Sequence, residues 1–171
     1  EPLVRKRLIT VNERLSAFSL TGYSGGGKKM IAEYEGEGRD QELDSPREYG
    51  VSQMHKHLKE MKAICGLDRA PLFSPIVADY YSGMLVSVPF YADMLAKKVT
   101  PEELRDFYAD YYKGEQFIKV MPFGAEAETG SFLGSNNCSG WDGIEIFVTG
   151  NEERILVSSR FDNLGKGASG A

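Results

Sequence analysis

The chain has 171 residues, of which 42 % are hydrophobic and 26 % are charged, and its formal net charge is −5. These values are typical of a globular protein with a substantial core and exclude a disordered chain. The longest uncharged runs, among them residues 80–92, are too short to cross a bilayer, and no basic block indicates a nucleic-acid partner. We therefore expect a single domain over residues 1–171, with neither a membrane nor a nucleic acid as partner.

The first third of the chain is predicted to hold one or two strands and a helix. Residues 8–20 alternate loosely between apolar and polar, as in a strand, and end at the glycine-rich residues 22–29. Residues 35–48 are polar and turn-rich, which favours a surface loop. A helix is predicted from Ser52, which can cap it, to Gly66, which can end it. Its apolar stripe comprises Met54, Leu58, Met61 and Cys65.

The next segment is predicted to be extended. Pro71 and Pro75 favour edge-like extended backbone over helix, and residues 83–90 alternate as a strand does. Neither segment carries a helix signal.

The clearest helix signal spans residues 100–112. Thr100 can cap the helix, Pro101 suits its first turn, and Glu103 completes a capping box. One face is apolar and is expected to lie in the core; it comprises Leu104, Phe107, Tyr108 and Tyr111.

Three further strands are predicted at residues 116–123, 143–150 and 154–161, and the last two are joined by a short turn as a hairpin. We therefore predict an α+β fold, in which a sheet built largely of hairpins carries helices on one face.

The glycine-rich residues 22–29 nearly match a phosphate-binding loop. Gly22, Gly27 and Lys28 have the required spacing, but Lys29 stands where such a loop needs a hydroxyl to hold magnesium. Two other interpretations stay open. The segment is either a flexible turn, or a turn that lets the backbone approach an anionic substrate while Ser24 and Lys28 supply a hydroxyl and a charge.

His55 and His57 are the only histidines in the chain. Two residues apart on a helix, they would point to different faces, which argues against a metal site. One interpretation makes His57 partly buried and His55 solvent-facing beside Lys59 and Lys62. The other notes that a helix N-terminus and nearby lysines disfavour the charged form of His55, and a neutral imidazole suits general acid/base chemistry.

The two cysteines, Cys65 and Cys138, show neither disulfide-framework nor zinc-site spacing, so a reducing, cytoplasmic location is expected. The chain begins with Glu1 rather than Met and lacks a signal peptide, which suggests a piece of a longer polypeptide. Residues 162–171 read as the opening of a helix.

Four segments together resemble one known family. They are GYSGGGKK at 22–29, YGVSQMHKHLKEM at 49–61, PLFSPIVADYYSGMLVSVPF at 71–90 and DNLGKGASGA at 162–171. They resemble the catalytic, subunit-associating domain of the N-acetyl-gamma-glutamyl-phosphate reductase family, in its shorter bacterial form. The resemblance implies a mixed, mostly antiparallel sheet flanked by helices, as in the C-terminal domain of glyceraldehyde-3-phosphate dehydrogenase and in aspartate-semialdehyde dehydrogenase. One departure is Lys59, where many members of the family carry a proline.

The resemblance also implies a reaction and a set of roles. In arginine biosynthesis the family converts N-acetyl-glutamyl 5-phosphate and NADPH to the semialdehyde, NADP and phosphate, through a thioester on a cysteine. His55 matches the acid/base position, and Tyr49 and His57 match its substrate-side neighbours. Ser24 and Gly25 match the turn that lines the pocket, where Lys28 would help to bind the anionic substrate.

Part of that active site is expected to lie outside this chain. The family's nucleophile lies upstream, and neither Cys65 nor Cys138 has its context. No glycine fingerprint of a dinucleotide-binding domain is present, so NADP would be held by the missing domain, and no residue here is predicted to bind cofactor or metal. The family also implies a homo-oligomer, either a dimer or a tetramer. The alternative function is a non-catalytic association domain that is inactive as an isolated fragment.

Overall fold

The computed structural model describes residues 1–164, which form four α-helices and one seven-stranded sheet. The helices are Pro2–Arg5 (α1), Gly27–Glu35 (α2), His57–Cys65 (α3) and Pro101–Tyr111 (α4). The strands are Ser16–Gly22 (β1), Arg47–Glu48 (β2), Leu72–Ala78 (β3), Met84–Tyr91 (β4), Ile118–Val120 (β5), Ile144–Gly150 (β6) and Arg154–Phe161 (β7). The helix expected to open in residues 162–171 lies outside the described residues from position 165 onward.

The sheet is mixed and mostly antiparallel, as predicted. Its strand order is β2-β3-β1-β4-β7-β6-β5. Strand β1 runs parallel to β3, and β5 runs parallel to β6, whereas the other four pairings are antiparallel. The prediction of a sheet built largely of hairpins is wrong, because in residues 1–164 only β6 and β7 are both consecutive and joined by a tight turn. Strand β1 instead pairs with β3 across an intervening segment that contains α2 and α3.

The four helices cover the same face of the sheet. Leu3 of α1 and Leu104 and Tyr108 of α4 pack in the largest core cluster, and Leu58 of α3 packs on Ala17 and Phe73. Tyr34 of α2 joins Leu43 and Val77 in a third cluster. The buried strand residues of the largest cluster are Phe90, Ile146, Val148, Ile155 and Val157.

The structure of helix α4 confirms the capping box predicted from the sequence. Glu103 N–H donates to Thr100 Oγ1 over 3.2 Å, and Thr100 N–H donates to Glu103 Oε2 over 2.8 Å. These two bonds are the predicted capping box. Leu104 is fully buried, whereas Phe107 and Tyr111 are only half-buried.

Several predicted boundaries are wrong. Helix α3 begins at His57 rather than after Ser52, so Met54 is 84 % exposed instead of joining the apolar stripe. The predicted end is correct, because Gly66 adopts the left-handed conformation that closes a helix. Strand β3 is extended but is not an edge, since β2 pairs with its outer side. The loop predicted at residues 35–48 contains β2 and the buried Leu43.

Candidate active site

A cavity of about 220 Å³ opens where β1 and β3 end and β4 begins. Because β1 and β3 are parallel neighbours, their carboxyl ends meet at the same edge of the sheet. Both the glycine turn after β1 and the segment before α3 contribute to the wall of this site cavity. Its lining residues are Thr21, Gly22, Gly25, Gly26, Met30, Tyr49, His57, Phe73, Val77, Met84 and Asn163.

The glycine turn is a single 3₁₀ turn, Tyr23–Gly26, which leads directly into α2. It docks on the neighbouring turn at residues 80–83 through backbone bonds: Gly22 N–H donates to Gly83 O over 3.0 Å, and Tyr23 N–H donates to Tyr80 O over 2.9 Å. A Cβ added at Gly22 would lie 2.5 Å from the carbonyl oxygen of Tyr81. Residues 22–24 of the turn are thus hydrogen-bonded and closely packed, whereas residues 25–29 are exposed.

Ser24 is buried inside this turn and contacts a residue distant in sequence. Its backbone N–H donates to Tyr81 O over 3.0 Å, and its Oγ lies 3.3 Å from Asn163 Nδ2. Asn163 follows β7 and thereby brings the end of the described chain to the wall of the site cavity. Gly25 is exposed next to these residues and lines the cavity.

The segment that carries the histidines is held to β3 by Gln53. The side-chain amide of Gln53 donates to Phe73 O over 2.8 Å and accepts from Phe73 N–H over 3.0 Å. Gln53 has a φ of 55°, which is uncommon for a residue other than glycine. These two bonds stabilise the bend that places His55 ahead of α3, where its ring packs edge-on against Phe73 with 5.3 Å between ring centroids.

The two histidine rings are neighbours, with 5.0 Å between their centroids. The prediction that they point to different faces is wrong, because His55 precedes α3 and only His57 belongs to it. The expected exposures are also reversed: His55 is half-buried, whereas His57 is exposed and its Nδ1 lies within hydrogen-bonding distance of the Glu60 carboxylate. His57 N–H donates to His55 Nδ1 over 3.3 Å, which orients the His55 ring.

The surroundings of His55 favour its neutral form. Burial lowers the pKa of His55 from its ordinary value of 6.5, and the charges of His57 and Lys56 lower it further. The ring of Tyr49 lies 5.8 Å from that of His55, and burial raises the pKa of Tyr49. The site therefore places a neutral imidazole beside a neutral phenol at about pH 7.

The structure brings together most of the residues predicted for the site. Gly25, Tyr49 and His57 line the cavity. Ser24 and His55 do not line it, but Ser24 Oγ lies 3.3 Å from the lining residue Asn163, and the His55 ring lies 5.0 Å from that of His57. Lys28 does not line the cavity, and its side chain is exposed on α2.

The features that suggested other chemistries lie outside the cavity. Lys29 is exposed and pairs with Glu33 along α2 at 3.9 Å. Cys138 is buried and donates to Glu145 over 3.4 Å, and burial raises its pKa to about 11. A thiol with such a pKa is a poor nucleophile. Within residues 1–164, no group of three or more His, Cys, Asp or Glu side chains could hold a metal ion, and no helix is long and apolar enough to cross a membrane.

Most of the lining residues were not predicted as site residues from the sequence, and Thr21, Phe73 and Asn163 are three of these. Thr21 lies on β1 and Phe73 lies on β3. The alternation of residues along a strand shows which positions share a face, but not which of them lie beside a cavity. Asn163 stands in a motif quoted for the family resemblance, but its bonds are to residues about 80 to 140 positions earlier in the chain.

A profile of the family described as "Semialdehyde dehydrogenase, dimerisation domain" matches residues 1–163. The chain therefore belongs to this family of semialdehyde dehydrogenase domains. The fold agrees: over 98 % of its length the chain resembles 53 % of aspartate semialdehyde dehydrogenase II of Vibrio cholerae, with a TM-score of 0.70 and 16 % identity. The enzyme of Francisella tularensis gives a TM-score of 0.67 at 14 % identity, covering 95 % of this chain and 56 % of that one.

Relatives of higher sequence identity include N-acetyl-gamma-glutamyl-phosphate reductases. The chain is 38 % identical over 99 % of its length to N-acetyl-gamma-glutamyl-phosphate reductase 2 of Nostoc sp., and covers 55 % of that protein. It is 39 % identical over 92 % of its length to the N-acetyl-gamma-glutamyl-phosphate reductase of Allorhizobium ampelinum, and covers 51 % of it. The resemblance inferred from the sequence motifs is thus confirmed. The chain spans about half the length of the relatives it matches.

Proposed function

We propose that this chain supplies the substrate side and the acid/base of an N-acetyl-gamma-glutamyl-phosphate reductase, an enzyme of arginine biosynthesis in the cytoplasm. The observation that carries the proposal is the site cavity, where the glycine turn meets Tyr49 and His57, with the ring of His55 5.0 Å from that of His57. The names of its relatives support the choice of N-acetyl-glutamyl 5-phosphate as substrate.

The proposed reaction has two stages. A cysteine thiolate that this chain does not supply attacks the acyl carbon of N-acetyl-glutamyl 5-phosphate, and the carbon–oxygen bond to phosphate breaks as phosphate leaves with its electron pair. When bound, NADPH would supply the hydride that reduces the thioester carbon, and the carbon–sulfur bond would then break to give the aldehyde and the free thiolate. The chain's own part is to bind the substrate and to move protons.

His55 is the proposed acid/base. Its lowered pKa keeps the imidazole neutral at about pH 7, so that it can take the proton of the attacking thiol. The resulting imidazolium can then protonate the oxygen that becomes negative when hydride arrives, and the imidazole can take that proton back as the carbon–sulfur bond breaks to give the aldehyde. His57 and Tyr49 border His55 and are proposed to contact the substrate.

The glycine turn is proposed to bind the substrate on the other side of the cavity. Gly25 and Gly26 have no side chains there, so a substrate can approach their backbone. The Ser24 hydroxyl lies immediately behind them. Lys28 is proposed to act at longer range, as an exposed positive charge on the first turn of α2 that attracts the acyl phosphate.

The described residues do not fit a dinucleotide. The turn after β1 reads G-Y-S-G-G-G rather than G-x-G-x-x-G, and a Cβ at Gly22 would meet backbone of the 80–83 turn instead of open space for a pyrophosphate. NADP is therefore proposed to be held mainly by another domain.

Two assays test this function. A full-length reductase that contains this sequence should form NADPH from N-acetylglutamate semialdehyde, phosphate and NADP. The isolated chain should show no turnover, because it lacks the nucleophile and the nicotinamide site. A full-length enzyme that reduces aspartyl phosphate instead would contradict the proposed substrate. Turnover by the isolated chain would show that the nucleophile has been misplaced.

A second, compatible function is homo-oligomer formation through the sheet face opposite the helices. Strand register places Phe18 and Leu20 of β1 on the same face as Ser87 and Leu85 of β4, away from the helix-covered core. Phe18 is 45 % exposed and Leu20 is 38 % exposed, and the neighbouring Leu72 and Tyr91 are more exposed still. An apolar patch of this kind is typical of a protein–protein interface, and the family description names dimerisation.

Phe18→Arg tests this interface by placing a charge in the patch. Sedimentation should show a shift from dimer or tetramer to monomer, because an unpaired buried charge is costly. Ile64→Arg is the matched control, since Ile64 is 71 % exposed on α3 and lies away from that face. Dissociation by Ile64→Arg together with an unchanged Phe18→Arg assembly would assign the interface to the helix side.

A further inference from the structure

The side chain of Asn163 joins three separate elements around the site cavity. Its Nδ2 donates to Gly22 O over 3.1 Å and lies 3.3 Å from both Thr21 Oγ1 and Ser24 Oγ. Its Oδ1 accepts from Gly83 N–H over 2.9 Å. An amide has two N–H donors and a carbonyl oxygen that accepts, and here the NH₂ group and the oxygen both have partners.

These hydrogen bonds fix the position of the substrate-side turn, Tyr23–Gly26. Gly22 is the last residue of β1, Ser24 is the buried centre of the 3₁₀ turn, and Gly83 belongs to the turn on which both dock. A Cβ added at Gly25 would lie 3.0 Å from Asn163 Nδ2, so the amide also packs directly against the exposed part of the turn. Movement of Asn163 would therefore displace Ser24 and Gly25 together.

We propose that Asn163 is a positioning residue for the reductase reaction. Its side chain holds Ser24 and Gly25 in the position from which the turn binds the substrate. The inference rests on the proposed function, because it assigns the turn to the substrate. Asn163 acts here through Ser24 and Gly25. Its loss should weaken the binding of ground state and transition state together, which raises KM more than it lowers kcat.

Two substitutions separate this role from general stability. Asn163→Ala removes all of the bonds. Asn163→Asp keeps an acceptor for Gly83 N–H but loses the donors toward Gly22 and Ser24. In the full-length reductase, each variant should raise KM for the semialdehyde by about 3- to 10-fold, the effect expected for one or two hydrogen bonds.

Asn151→Ala is the matched control. Asn151 Oδ1 accepts from the backbone N–H groups of Glu153 and Arg154 in the β6–β7 turn, at the other end of β7. This substitution also removes an amide that caps a turn, so it should lower the thermal midpoint without changing KM.

A double-mutant cycle identifies the route by which Asn163 acts. In a Ser24→Ala background, Asn163→Ala should raise KM by less than it does alone, because the two side chains contact each other. The proposal would be overturned if the fold-increases in KM caused by Ser24→Ala and Asn163→Ala multiplied fully in the double variant. It would also be overturned if both Asn163 variants had the wild-type KM. A parent enzyme without reductase activity would refute the proposed function itself, whereas an active parent with unchanged Asn163 variants would refute only this inference.

Discussion

Gly22→Ala perturbs the contact that holds the glycine turn in place. Gly22 has a φ of −67° and a ψ of 156°, which any residue can adopt, so backbone strain does not require a glycine there. A glycine is required because a side chain has no room: the new Cβ would lie 2.5 Å from Tyr81 O and 2.7 Å from Tyr80 O. Both of these are backbone atoms, so the clash can be relieved only by separating the two turns.

The cost follows from that separation. Overpacking in a close contact typically costs about 1–3 kcal/mol. The three backbone bonds from Gly22, Tyr23 and Ser24 to the 80–83 turn contribute about 0.5–1.5 kcal/mol each, and some would be lost. We expect a total of about 2–4 kcal/mol, which would lower the thermal midpoint by roughly 5 to 15 °C for a chain of this size.

Urea unfolding, with the midpoint and slope fitted separately, measures this loss in the isolated chain. Gly66→Ala is the control: its Cβ would meet nothing within 4 Å, but its φ of 68° strains any side chain. It should cost about 1 kcal/mol and, in the full-length enzyme, leave KM unchanged. A Gly22→Ala variant within 0.5 kcal/mol of wild type, a typical effect of a harmless surface substitution, would refute the docked turn.

Three further predictions concern other parts of the chain. Because the pKa of His55 is lowered in the folded state, the unfolded chain takes up this proton first as pH falls. The contribution of neutral His55 to the free energy of unfolding is therefore present above about pH 6.5 and is lost as pH falls below it. Urea titrations should show that the stability of His55→Gln depends less steeply on pH. Thr100→Ala removes the capping box of α4 and should cost about 1 kcal/mol in the same assay, whereas a loss near zero would mean that the cap does not stabilise the helix. Calorimetry with magnesium and ATP should show no binding, because Lys29 replaces the magnesium-ligating hydroxyl; micromolar binding abolished by Lys28→Ala would contradict this reading of the turn.

Local signals in the sequence predicted local structure well. The capping box at Thr100 and the alternation on both sides of the β6–β7 turn depend on residues only a few positions apart, and both are found in the structure. Strand β1 was harder to place, because its partner β3 lies about 50 residues later and no local pattern marks a parallel pairing. No element was predicted for residues 30–35, which continue α2 after a run of glycines that disfavours helix.

In the candidate site, too, residue types were predicted from the sequence, whereas long-range contacts were not. The histidines and the glycine turn were recognised from residue types and from resemblance. Their geometry was not, because the bend before α3 depends on Gln53 bonding to the backbone of Phe73. Asn163 could not be found from local pattern, since its partners Gly22 and Gly83 meet it only in the folded chain.

The most direct test of the account is kcat of a full-length reductase containing this sequence, with His55→Ala and His57→Ala measured side by side from pH 6 to 9. A general acid/base contributes about 100- to 10,000-fold, so His55→Ala should lower kcat within that range while the protein remains folded. His57→Ala should raise KM instead. Near-normal kcat in His55→Ala, with loss of kcat in His57→Ala, would reverse the two roles, and normal kcat in both would contradict the claim that this chain supplies the acid/base.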